Sequence, residues 1–257
     1  MHKAALTGTA LVVIYTLMIS SADAITKFLS HGYAAPQLFA VSGLLVAALS
    51  VLSARFGHQR QTLRTTCPRA MALRAGVTIA GSVAFFHAFR LLPFAEVFVF
   101  IGMMPLFAGL FSGLFLGEHV RPLAWGALGA GFIGVLRLFP QGLASVSTGH
   151  LIALAACLCG TLSMVLARYI GRFETNALAQ VFYPNLALGA VMAAALPFVY
   201  KSMPLTDMVW VAAYGGVLFV ARWLLVVSLR MLAAYAVTPL MNLQFVWMVI
   251  LGAWVFD

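Results

Sequence analysis

Apolar residues in this chain run together for roughly twenty positions at a time, and short clusters of charge, glycine and proline break the runs. Bounded that way, nine runs are legible, at 4–28, 36–55, 71–92, 94–116, 122–139, 149–170, 177–199, 207–230 and 234–256. A helix crosses the hydrocarbon of a bilayer in about 20 residues, whereas a barrel strand needs about 10 and alternates. The runs match the helix, so the pattern predicts an all-α integral membrane protein. The opening stretch "ALTGTALVVIYTLMISSADAITKF" is long enough to be a first span and lacks a convincing cleavage site.

Composition agrees and removes the soluble alternatives. With 63% hydrophobic and 8% charged residues, the chain cannot cover a water-soluble surface, which takes roughly a quarter charged residues. The net charge of +9 is concentrated in "ARFGHQRQTLRTTCPRA", so it reports orientation and implies no nucleic-acid partner. With a cytoplasmic N-terminus, the inside loops carry Lys3, Arg55, Arg60, Arg64, Arg69, Arg121, Arg168, Arg172 and Arg230. The outside loops carry Lys27, Arg90, Arg137 and Lys201, an asymmetry that fits the positive-inside rule. The loops are too short for a soluble module. Cys67, Cys157 and Cys159 make no disulfide framework and read as structural bystanders.

The chain also repeats. "AGVTIAGSVAFFHAFRLL" at 75–92 aligns without gaps with "GGVLFVARWLLVVSLRML" at 215–232, setting Gly76 opposite Gly216 and Arg90 opposite Arg230. At the same offset "LFLG" at 114–117 meets "WVFD" at 254–257. The division is 1–142 for one copy, with spans 1–5, and 143–257 for the other, with spans 6–9. An odd number of spans per copy inverts the second in the membrane. Two inverted five-helix repeats call for ten spans, so the nine present are expected to be ten with the last missing. In the fifth run, Ala127 with Gly131 and Ala130 with Gly134 supply small-residue pairs for close helix packing.

The stretch "FHAFRLLPFAEVFVFIGMMPLFAGLFSGLFLGEHVRPLAWGALGAGFIGVLRL" resembles the end of an EamA repeat of the drug/metabolite transporter superfamily. The features that carry it are Arg90 closing span three, Pro105 inside span four, the Gly117-Glu118 end and the glycines of span five from Gly126 to Gly134. The resemblance implies ten spans, both ends cytoplasmic, and a central cavity reached alternately from each side of the inner (plasma) membrane. It also implies a secondary carrier of small organic metabolites, amino acids or their derivatives, including ones like S-adenosylmethionine. Two departures stand out: Ser42 occupies a place where the family often has a basic residue, and the second copy lacks its terminal Glu and fifth span. The rival expectation is a truncated or non-transporting membrane scaffold that needs a partner helix. Lipid and a small molecule are the expected partners; oligomeric state is not readable.

Ionisable groups are costly in hydrocarbon, so each one inside a run has to face the bundle interior, water or a partner. Arg222 in "LFVARWLLVV" is the deepest; it reads as a contact for an anionic substrate group or as a structural ion pair, with Asp23 the natural partner. Thr16, Ser20, Asp23 and Lys27 share one helix face and form a polar seam, which either lines the substrate path or reflects an Asp23–Lys27 pair at i,i+4 near the outer interface. Glu96 follows Pro93 at a helix start, as a charge at the N-terminal amides or as a proton-coupling group. His87, one turn from Arg90, is a packing histidine or a proton relay. Gln180, Tyr183 and Asn185 surround Pro184, which frees a carbonyl that can face a cavity; Thr238 and Asn242 share another face and serve either to hydrogen-bond substrate or to bond between helices. Tyr15, Phe85, Phe86 and Trp223 are aromatic candidates for stacking on a ligand. Glu118 and Arg121, with His119, belong to a turn or a gating salt bridge. No metal-ligand spacing, phosphate-binding loop or nucleophile set is present, so the expectation is no enzyme activity and no cofactor.

Overall fold

The computed structural model describes residues 2–56, 62–118 and 147–244, with 122, 125, 126, 129, 130, 133, 246, 247 and 250 besides. The regular elements among the described residues are all helices. They form α1 (His2–Ser30), α2 (Ala35–Phe56), α3 (Pro68–Leu91), α4 (Phe94–Gly102), α5 (Met104–Leu116), α6 (Thr148–Gly171), α7 (Ala177–Ala195), α8 (Leu205–Met231) and α9 (Ala234–Met241). A short 3-10 turn, Leu196–Phe198, extends α7. Six helices are long and apolar enough to cross a membrane: α1, α2, α3, α6, α7 with its 3-10 turn, and α8. Most of the expected fifth span, with Ala127, Gly131 and Gly134, and the end of the ninth lie outside the described residues.

The expected fourth span is not one helix. It breaks at Met103 into α4 and α5, because Pro105 has no amide to donate to the preceding turn. The opened turn leaves carbonyls near the break, and the Cys157 thiol donates to the Phe100 oxygen at 2.9 Å. The ninth run behaves alike: α9 contains Pro239 and ends at Met241, followed by a turn at 242–243. At the end of α5, Gly117 adopts the left-handed conformation (φ 61°), which lets the Glu118 amide reach back to the Ser112 carbonyl at 3.2 Å.

Helices gain nothing in lipid from hiding apolar surface against each other, so packing depends on close approach. The broadest pairings join the two halves of the chain: α2 with α7, α3 with α6, and α1 with α8. Gly43 of α2 meets Gly189 of α7 so closely that an added Cβ on Gly43 would lie 2.8 Å from the Gly189 nitrogen. At Gly8 a Cβ would lie 2.9 Å from Leu232 Cγ, and at Gly149 it would lie 2.9 Å from Leu92 Cγ. Large apolar side chains such as Leu6, Phe28, Leu114, Leu151 and Trp210 point outward, as a lipid-facing surface requires.

Polar contacts tie the helix ends into two layers. At one end, Glu118 Oε1 accepts from Arg168 Nε at 2.6 Å and from Arg172 Nη2 at 3.0 Å. Arg230 there donates to the Thr175 carbonyl at 2.8 Å, and Glu174 Oε2 accepts from the Thr66 amide at 2.7 Å. At the other end, Gln37 and the Lys201 backbone exchange two hydrogen bonds, Tyr33 donates to Asp207, and His150 Nε2 lies 3.1 Å from Glu96. The start of α3 and the ends of α5, α6 and α8 therefore form one arginine-rich end of the bundle.

Candidate functional site

A cavity of about 210 Å³ opens between α1, α3, α6, α7 and α8, closed on one side by the α4–α5 break and by Met241 and Gln244. Its walls combine the phenylalanines Phe39, Phe85, Phe86 and Phe89 with buried polar and charged groups. Of the residues singled out in sequence, Arg222, Asp23, Tyr15, Phe85, Phe86, Gln180 and Asn185 line it. Arg222 and Asp23 share the cavity, but no ion pair within 4.0 Å joins them among the described residues. Tyr15 stands within electrostatic range of both.

Arg74 was not among the sequence candidates, and it is the best-anchored charge in the cavity. Pro184 has no amide to bond the Gln180 carbonyl one turn earlier in α7. Arg74 Nη1, reaching from α3, donates to that carbonyl at 2.7 Å and to Gln180 Oε1 at 2.9 Å. The side chain is only 8% exposed, and its Nε has no partner. Gln180 Nε2, Asn185 Oδ1 and Gln244 Oε1 are also buried without partners and belong to cavity-lining residues. A buried polar atom left unpaired costs roughly 1–3 kcal/mol, so four among the lining residues mark a cavity suited to polar ligand atoms. Thr26, Tyr214, Thr78 and Ser163 also line the cavity, and the last two share a hydrogen bond of 2.8 Å across α3 and α6.

The other candidates sit elsewhere. Thr16 donates to the Val13 carbonyl at 2.7 Å and accepts from Trp247 Nε1 at 3.1 Å, so its hydroxyl serves packing. Ser20 is buried off the cavity, so the polar seam of α1 meets the cavity at Asp23, one turn along the face. Lys27 does not pair with Asp23: its Nζ donates to the Phe89 and Leu92 carbonyls at 2.6 and 3.1 Å, closing the end of α3. His87 Nδ1 bonds the Val83 carbonyl of its own helix at 2.8 Å. Tyr183 packs edge-on against Phe182, Asn242 is off the cavity, and Trp223 is 39% exposed. Glu96 lies outside the cavity beside His150, whose Nδ1 accepts from the Ser147 amide at 2.9 Å at the start of α6. Glu118 forms its ion pairs with Arg168 and Arg172; Arg121 and His119 lie outside the described residues. Among the described residues no cluster of His, Cys, Asp and Glu could hold a metal ion.

A multi-pass helical membrane protein with a polar, charged cavity at its centre is thereby defined. Residues 6–139, just over half of the chain, match the EamA-like transporter family; the chain belongs to that family, part of the drug/metabolite transporter superfamily of small-molecule membrane transporters. No curated protein matches the chain. One solved structure, described only as the crystal structure of a protein, superposes with a TM-score of 0.74 at 21% identity over 100% of this chain and 89% of its own, a likeness of fold alone.

Proposed function

We propose that this protein is a secondary-active carrier of small organic metabolites, amino acids or their derivatives, including ones like S-adenosylmethionine, that exposes the central cavity alternately to the two sides of the inner membrane. The observation that carries the reading is a cavity lined from both halves of the chain at corresponding positions. At the offset that aligns 75–92 with 215–232, Ser82 corresponds to Arg222, Arg74 to Tyr214, Phe85 to Leu225, Ile101 to Met241 and Met104 to Gln244, and all ten line the cavity. The Phe89 and Leu92 carbonyls of α3, closed by Lys27, correspond at that offset to the Leu229 and Leu232 carbonyls of α8, closed by Arg168 at 2.8 and 2.6 Å, with Lys27 and Arg168 themselves one residue out of register.

These correspondences support two inverted repeats, 1–142 and 143–257, built for five spans each and ten in all, that rock about the cavity. The arginine-rich end faces the cytoplasm together with the N-terminus, by the positive-inside rule. The protein carries out no chemistry on its substrate. The test is Arg222→Ala in a metabolite-panel assay in liposomes: uptake is lost while the protein still reaches the membrane, and near-normal uptake rejects the reading. Proton coupling through Glu96, beside His150, predicts that Glu96→Gln removes the dependence of uptake on a pH gradient.

A further inference from the structure

The charges in the cavity are ordered along the bundle axis. Gly8 packs on Leu232 and Thr26 lies beside Tyr214 at the cavity wall, so α1 and α8 run antiparallel in a register that sets Arg222 level with Met18. Asp23 is about five residues further along α1, roughly 7 Å towards the end opposite the arginines. Lys27 reaches Phe89 and Leu92 of α3, which sets Arg74 about seven residues, roughly 10 Å, from Arg222 on the arginine-rich side. The sequence of groups is a guanidinium, a second guanidinium and then a carboxylate. The two guanidiniums are near enough to repel each other. Glu174, the remaining carboxylate within range of Arg74, is not a cavity residue; its Oε2 accepts from Thr65 and Thr66, its Oε1 is buried without a partner, and among the described residues no ion pair within 4.0 Å joins it to Arg74.

An α-amino acid bearing only its own carboxylate and ammonium matches Asp23 and Arg222 and leaves Arg74 Nε without an acceptor. Nothing the protein offers satisfies that atom: Nη1 is held by Gln180, and Nε is buried and unpartnered. Buried cations need an anion or hydrogen-bond acceptors at close range. We propose that the carried molecule has two acidic groups and one ammonium on a short chain, as an acidic amino acid does, with the ammonium at Asp23 and the acidic groups at Arg222 and Arg74. This rests on the carrier reading above and names its substrate class. Arg74 is the specificity residue for the distal acid, and Gln180 holds its guanidinium fork in place.

The experiment is uptake of labelled glutamate and of glutamine, which has the same shape without the second charge, into phosphatidylcholine liposomes holding the purified protein. Wild type is expected to take up glutamate at least about tenfold better than glutamine, the discrimination of one charge-assisted hydrogen bond. Glutarate, which lacks the ammonium, is carried less well than glutamate. Arg74→Gln is expected to bring the glutamate and glutamine rates together while glutamine uptake continues. If that variant does not fold, the wild-type ratio decides alone. Equal uptake, or a preference for glutamine, overturns the assignment and leaves the carrier standing. Uptake of no compound in a wider metabolite panel, with no thermal shift on adding glutamate, overturns both.

Discussion

Pro184 shows how a single residue shapes the cavity. Its missing amide opens the turn at Gln180, and Arg74 crosses from α3 to close it, so a helix defect becomes the anchor for a buried charge. Lys27 and Arg168 do comparable work at the ends of α3 and α8, each donating to two terminal carbonyls. Lys27→Ala is therefore expected to lower stability by about 1.5–3 kcal/mol, visible as a lower midpoint in a detergent thermal-unfolding assay. Arg168→Ala is expected to cost more, because it also removes one of the two ion pairs of Glu118 and leaves only Arg172 on that carboxylate. The Tyr33 hydroxyl donates to Asp207, and that hydrogen bond and the adjacent carboxylate raise its pKa. The sign follows: the contact holds below the ordinary tyrosine value of about 10 and is lost as pH climbs through the raised one. In an ultraviolet titration of phenolate, Tyr33→Phe should remove one tyrosine from the late-titrating fraction and leave the others unchanged. Arg222 and Asp23 were legible at this scale because an ionised group in an apolar run must find the interior. Arg74 was not, since it lies under two turns inside its helix, where an arginine can reach the interface; only the packing of α7 shows that it turns inward.

At the scale of elements, glycines decide how closely helices meet. Gly43→Ala puts a Cβ within 2.9 Å of the Asn185 carbonyl oxygen as well as the Gly189 backbone, with no side chain able to yield. It is expected to cost about 1–3 kcal/mol by overpacking and to loosen the α2–α7 pair. Gly76→Ala, with nothing within 4 Å, is the control and should be neutral or stabilising by up to about 1 kcal/mol. Thermal midpoints of the two variants side by side test the contrast. Hydropathy located the apolar runs well, because lipid rewards length and apolarity over a whole segment. It did not see the break at Met103, since α4 and α5 are equally apolar on either side; Pro105 was the only signal.

For the whole molecule, the contacts between its halves matter most. The long pairings run between halves, and the cavity draws on both, so relative motion of the halves would change access to the charges inside. Orientation is testable with the protein's own thiols. Cys67 sits at the start of α3 at the arginine-rich end, Cys157 is fully buried, and Cys159 lies inside α6. A membrane-impermeant maleimide should label Cys67 in inside-out vesicles and not in intact cells, and Cys67→Ser should abolish the signal. Labelling of intact cells would reverse the proposed orientation.

By itself the sequence determined that the chain is a helical membrane protein, where its apolar runs lie, and that Arg222 and Asp23 require an interior place. These follow from costs paid residue by residue against lipid. Only the tertiary structure decided that Asp23 and Arg222 share a cavity without pairing, that Lys27 closes α3, and that Arg74 fills the gap left by Pro184. Those facts depend on register between helices distant in the chain, which glycine contacts and broken backbone turns set and a hydrophobic pattern does not encode.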